Sequence, residues 1–163
     1  MKKNERIAAF VANLGTDATL ALDPRYQGFF TCFNTQQYYE AHDVLENLWL
    51  KTSGSDYFFF KGLIQVAGAF VHLQKHFLHP DHAKHSQRLR PAVRLFHLAI
   101  RNLEPFAPVR LQLDVSQLCQ LCRQIADEVT ASDFQLNPWQ PSRAPQLHLG
   151  APKTAAMTPP RHS

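Results

Sequence analysis

The chain has no apolar stretch fit to cross a membrane. Its longest apolar run, Tyr57 to Leu73, is interrupted by Lys61, Gln65 and His72, short of the ~18 uninterrupted residues that a span needs. Cysteine is scarce: three in 163 residues, an odd count that fits a reducing compartment better than a disulfide framework. No nucleophile motif, glycine-rich phosphate loop or paired carboxylates on a catalytic loop is present, so the common signatures of covalent and phosphoryl-transfer enzymes are missing. No pair of alternating segments with turn signals reads as strands, and no internal repeat is visible. Charge is nearly balanced, with 17 basic against 13 acidic side chains. That excess is too small to mark a nucleic-acid-binding protein by itself. The N-terminus MKKNERIAAFVANLG breaks its short apolar run with Asn13 and makes a poor signal peptide. A cytoplasmic location is the expectation.

What the chain does have is helical periodicity and aromatic bulk, with 12 Phe, 4 Tyr and 2 Trp. Asn4 to Leu14 places Ile7, Phe10, Val11 and Leu14 on one face, and Gly15 stops it. Thr16 to Asn34 reads as a packed connector, anchored by Phe29, Phe30 and Phe33. Gln37 to Trp49 is an amphipathic helix capped by Asn34 or Thr35. In it Tyr38, Ala41, His42, Leu45, Leu48 and Trp49 share one side, Glu46 lies at their edge, and Glu40, Asp43 and Asn47 point away. A turn-rich loop, Lys51 to Asp56, leads into a helix to about Phe77; so short a loop makes the two antiparallel neighbours. Two further helices follow, Leu89 to Leu103 and about Asp114 to Thr130. From Leu136 the chain is rich in proline and poor in large apolar residues, which predicts a disordered tail over 136–163. The expected architecture is all-α: one bundle of about five helices over 1–135, organised on the central antiparallel pair.

The two central helices read EAHDVLENLW and KGLIQVAGAFVH. Glu40, Ala41, His42, Asp43, Leu45, Glu46 and Trp49, then Gly62, Leu63, Ile64, Gln65, Ala67 and His72, resemble domain-of-unknown-function family 309, whose pattern is an EAHE-x-x-E-x-x-W helix followed by a GLIQ-x-A helix. Asp43 stands where that family more often has Glu. The resemblance covers about 23–103 and implies an all-helical bundle with no established activity.

Four polar groups stand out. His42 and Glu46 are helix neighbours at i and i+4, and Gln65 with His72 forms a stripe on the next helix. If the stripe turns toward His42, the four make a buried network or line a small pocket. His42, Glu46 and His72 would then be the ligands of a divalent metal, with Gln65 orienting a water, as in a metal-assisted hydrolase. The leading expectation is a non-catalytic binding or interaction module without a cofactor. His72, His76, His79, His82 and His85 form a histidine run that reads as a solvated, pH-sensitive surface. Cys119 and Cys122, a CxxC inside a helix, read as buried small apolar residues. Lys84, Arg88, Arg90, Arg94, Arg101 and Arg110, with Glu104 among them, form a basic set. Arg90, Arg94 and Arg101 share the face opposite the Leu/Phe stripe, as a solvated helix face would. A nucleic-acid partner is therefore only the second alternative; protein and small-molecule partners come first, and no membrane partner is expected.

Overall fold

The computed structural model describes residues 2–82 and 87–150. Six α-helices carry the fold among these residues, one more than the periodicity predicts: α1 (Lys3–Leu14), α2 (Pro24–Asn34), α3 (Tyr38–Trp49), α4 (Asp56–Leu78), α5 (Leu89–Leu103) and α6 (Val115–Ala131). The additional one is α2, in the segment expected to be a connector. Asp23 caps it by accepting from the Arg25 amide at 2.8 Å, and Pro24 occupies its first turn, where a missing N–H costs nothing. Its periodicity is hidden because Tyr26, Gln27, Gly28, Phe29, Phe30, Cys32 and Phe33 are all buried, leaving almost no polar face. Gly28 sits where α1 crosses: a Cβ there would lie 3.2 Å from a Leu14 methyl and 3.4 Å from Val44.

Helix α4 is the axis of the bundle, packed on α3 at one side and on α5 at the other; α2 lies on α3, α6 on α5, and α1 closes the α2–α3 edge. The core is a chain of rings. Phe33, Tyr38 and Phe70 meet at centroid distances of 5.0–5.3 Å, and Phe70 stands edge-on to Phe96 at 5.4 Å. Edge-to-face contacts of this kind add to the burial of large apolar area. Tyr38 at the start of α3 stacks on Phe70, and Trp49 at its end lies 5.1 Å from Tyr57 at the start of α4. Helices α4 and α5 approach closely at Gly62, where an added Cβ would lie 2.7 Å from Leu103 Cγ.

Three further expectations need correction. The cap of α3 is Gln37, without a side-chain bond, in place of Asn34 or Thr35. A short antiparallel pairing does occur, β1 (Val109–Arg110) with β2 (Leu113–Asp114). Its two-residue turn holds Leu111 and Gln112 at φ 46° and 64°, the left-handed pair of a tight hairpin, tied down by the Tyr26 hydroxyl donating to Leu111 O and Gln112 donating to Leu20 O. This hairpin is invisible to turn signals because Leu-Gln replaces the usual Asn-Gly.

The third correction concerns the tail. Residues 136–150 pack on the bundle. Trp139 and Leu147 are buried, the Trp139 indole N–H donates to the Tyr38 hydroxyl at 3.0 Å, and Asn137 donates to Leu73 O. Asn34 exchanges two hydrogen bonds with the Leu147 backbone. Prolines prevent this strap from forming a helix but do not prevent an extended chain from docking two apolar anchors. The rest of the expected tail, 151–163, lies outside the described residues.

Candidate functional site

The exposed rim of α3 carries the first cluster. His42 Nδ1 lies 3.2 Å from Asp43 Oδ1, and donor atoms of His42, Asp43 and Glu46 all fall within 4.8 Å of one another. All three are half-buried. Asp43 therefore joins His42, contrary to the helical-wheel expectation. The apolar arc of α3 is centred on Ala41, Leu45 and Leu48, which puts His42 at its border and within reach of the short Asp43 carboxylate. Lys3, from α1, pairs with Glu46 at 3.3 Å, and the Tyr39 ring stacks on the His42 imidazole.

Gln65 and His72 have partners on α5 and at its N-cap instead of on α3. Gln65 Oε1 accepts from the Asn102 amide at 2.8 Å, and an Arg88 guanidinium nitrogen lies 3.3 Å from His72 Nδ1. An arginine only donates, so Nδ1 must be the bare nitrogen of a neutral ring. Burial, then the charges of Arg88, Lys75 and Arg94, push the His72 pKa down to about 4. The expected four-residue group thus divides into an α3 rim pair, which gains Asp43, and two separate α4–α5 bonds. His72 is not in the three-donor group, which is the only one among the described residues.

A third place was not foreseen. Between α1, the start of α2 and the end of α3 lies a cleft of about 500 Å³ lined by Asn4, Val11, Pro24, Arg25, Asn47 and Lys51, among others. Arg25 is fixed from two sides. Its Nε and Nη2 donate to the Asp23 carboxylate at 3.1 and 3.0 Å, and Nη1 donates to Asn47 Oδ1 at 2.9 Å. Asn47, nearly fully buried, passes the chain on by donating to Asn4 Oδ1 at 2.9 Å. Burial pushes the Asp23 carboxyl up, but the hydrogen bonds and charge of Arg25 outweigh it and hold the group below its usual value. Arg25 is thereby neutralised in place, while exposed Lys51 has no ion pair among the described residues. The cleft thus joins an apolar wall to a fixed polar end and one uncompensated cation. Asp23-Pro24 was the only sequence signal for any of it, as a helix start.

Among the other candidates, Cys32, Cys119 and Cys122 are free and buried. Burial raises all three thiols, that of Cys32 to about 12, so none is a ready thiolate. The His79 and His82 rings lie 6.3 Å apart; His85 and Lys84 are outside the described residues. Arg110 leaves the basic set, since it pairs with Asp56 at 2.9 Å.

Residues 26–79 match the family described as Domain of unknown function (DUF309). No curated protein matches the chain, and no solved structure does. The matched segment spans nearly all of α2 and the whole of α3 and α4, so it contains the α3 rim but, of the cleft lining, only Asn47 and Lys51.

Proposed function

We propose that this chain, whose residues 26–79 belong to the DUF309 family, is a non-catalytic binding module that takes a small molecule in the α1–α2–α3 cleft. The observation that carries this reading is the cleft itself: about 500 Å³, within the range of small-ligand sites, with apolar walls and a few convergent polar groups. Lys51 favours an anionic head, the fixed Arg25–Asn47–Asn4 chain supplies orientation, and Ala8, Val11, Ala12 and Pro24 accept an apolar body. The central helix pair is the scaffold, and the ring contacts at both ends of α3 support its antiparallel course along α4. Residues 2–150 act as one domain, and three free cysteines suit a cytoplasmic setting.

Octanoate is a suitable probe, because it combines an apolar tail with a carboxylate. Titrated against labelled protein, it should shift the backbone amide resonances around Ala12, Arg25 and Asn47. Octan-1-ol should bind more weakly, Lys51→Gln should reduce the preference for the acid, and Ala12→Phe should abolish the response by filling the wall. Absence of any cleft shift at millimolar octanoate sinks this reading.

A second reading, the metal-assisted hydrolase, rests on His42, Asp43 and Glu46, with Asp43 taking the place first given to His72. The donors lie within 4.8 Å of one another, close enough to share one divalent ion. Elemental mass spectrometry of untagged protein should then find about one equivalent of metal, lost in His42→Ala. Metal-free wild-type protein that takes up none on dialysis excludes it.

A further inference from the structure

Charge is unevenly distributed along this chain. Residues 57–103 carry seven Lys or Arg against a single acid, Asp81, whereas the remaining ten basic side chains share the chain with twelve acids. The whole positive excess therefore belongs to α4, α5 and their connection, and the modest net charge of the chain conceals it. On the outer face of α5, Arg90, Arg94, His97 and Arg101 follow one another at intervals of four, three and four residues, and all four are exposed. At ~1.5 Å per residue they form a straight stripe about 16 Å long.

The stripe is neither quenched nor greasy. Arg94 and Arg101 make no ion pair or side-chain hydrogen bond among the described residues. Arg90 is held over the Phe134 ring, 4.0 Å from its centroid, so a cation is fixed at one end before any partner arrives. No large exposed apolar residue is on α5 itself. A membrane surface would call for apolar insertion beside the cations, and a protein partner for an apolar centre to the interface. A phosphodiester backbone needs neither, because its binding is mainly counterion release. Along ~16 Å, one strand of a duplex presents about five phosphates.

We infer that the Arg90–Arg94–Arg101 stripe of α5 is a nucleic-acid backbone site, sequence-independent and separate from the α1–α2–α3 cleft. Three neutralised phosphates set a slope of about −2.7 for log affinity against log salt on duplex DNA, so a fourfold rise in salt weakens binding about 40-fold.

The test is fluorescence anisotropy of a labelled mixed-sequence duplex of about 20 base pairs, at about 50 and 200 mM KCl, with the full chain. Wild type is expected to show that 40-fold loss. Arg94→Gln/Arg101→Gln should flatten the slope to about −0.9, while Arg6→Gln/Arg143→Gln leaves it unchanged. Both Arg94 and Arg101 are exposed, so the double variant should keep its circular dichroism spectrum and melting temperature; the salt slope of the wild type gives a separate check. No binding at about 50 mM salt, or a slope indifferent to Arg94 and Arg101, overturns the inference. So does displacement of the duplex by polyglutamate at equal charge, which would assign the stripe to acidic polypeptides, or tighter binding to phosphatidylserine vesicles, which would assign it to membranes.

Discussion

Replacing Gly62 by alanine asks whether the α4–α5 contact is as close as described. In a helix interior this change gains ~1 kcal/mol from propensity alone. Here the new methyl would meet Leu103 Cγ at 2.7 Å, Leu103 Cδ2 at 2.9 Å and Asn102 Cβ at 3.2 Å. Cγ is a branch point and Leu103 is fully buried, so the whole side chain or the helix itself must move. Overpacking of this kind costs ~1–3 kcal/mol, and with two atoms inside 3 Å the upper half of that range applies. The clash wins by about 1–2 kcal/mol, a fall in melting temperature of roughly 3–6 °C for a chain of this size. Gly68 is the internal control. A methyl there meets one atom only, Leu95 Cδ1 at 3.2 Å, the mobile end of a half-buried side chain. Propensity then wins, and Gly68→Ala should be neutral or more stable by up to ~1 kcal/mol. Urea denaturation followed by circular dichroism at 222 nm measures both. If Gly62→Ala were as stable as wild type, or the two variants behaved alike, the described α4–α5 distance would be wrong.

Two further outcomes follow from the strap and from His72. Trp139→Ala removes a buried indole and its bond to Tyr38; stability should fall by ~3 kcal/mol or more, and limited proteolysis should cut within 136–150, whereas a loss below ~1 kcal/mol would mean that the strap is not docked. His72, held down to about 4 by burial and neighbouring cations, binds its proton more readily in the unfolded chain. Its contribution is therefore intact above the unfolded value near 6.5 and is lost as pH falls from there toward 4. His72→Gln should reduce the drop in melting temperature between neutral pH and pH 4.5, and an unchanged drop would remove His72 as a cause.

Much of the framework was legible because helix periodicity and its breakers are local. Gly15, at φ 77°, ends α1 where the pattern does, and α4 begins at Asp56 as the loop composition predicts. Helix α2 was not legible, since a segment buried on nearly every side has no contrast between faces. The strap was misjudged for a related reason: proline content reports on backbone geometry, whereas docking depends on two spaced anchors and on partners far away in the chain. The sites follow the same division. His42 with Glu46 could be read from an i, i+4 interval. The bonds of Gln65 to Asn102 and of Arg25 to Asn47 join positions 37 and 22 residues apart, and no local pattern announces which helices will face each other.

The strap also sets an order of events in synthesis. Leu73 O, within the ladder of α4, gains a second donor from a residue 64 positions later, and the Tyr38 hydroxyl gains its donor from one 101 positions later. At ~5–20 residues per second, Tyr38 waits roughly 5–20 s for the indole that closes over it. Through that interval the Tyr38–Phe70–Phe77 side of the emerging bundle is open apolar surface, the kind that chaperones recognise. A fragment ending at residue 79, where the family match ends, would lack Trp139 and leave the Tyr38 hydroxyl without the indole that caps it.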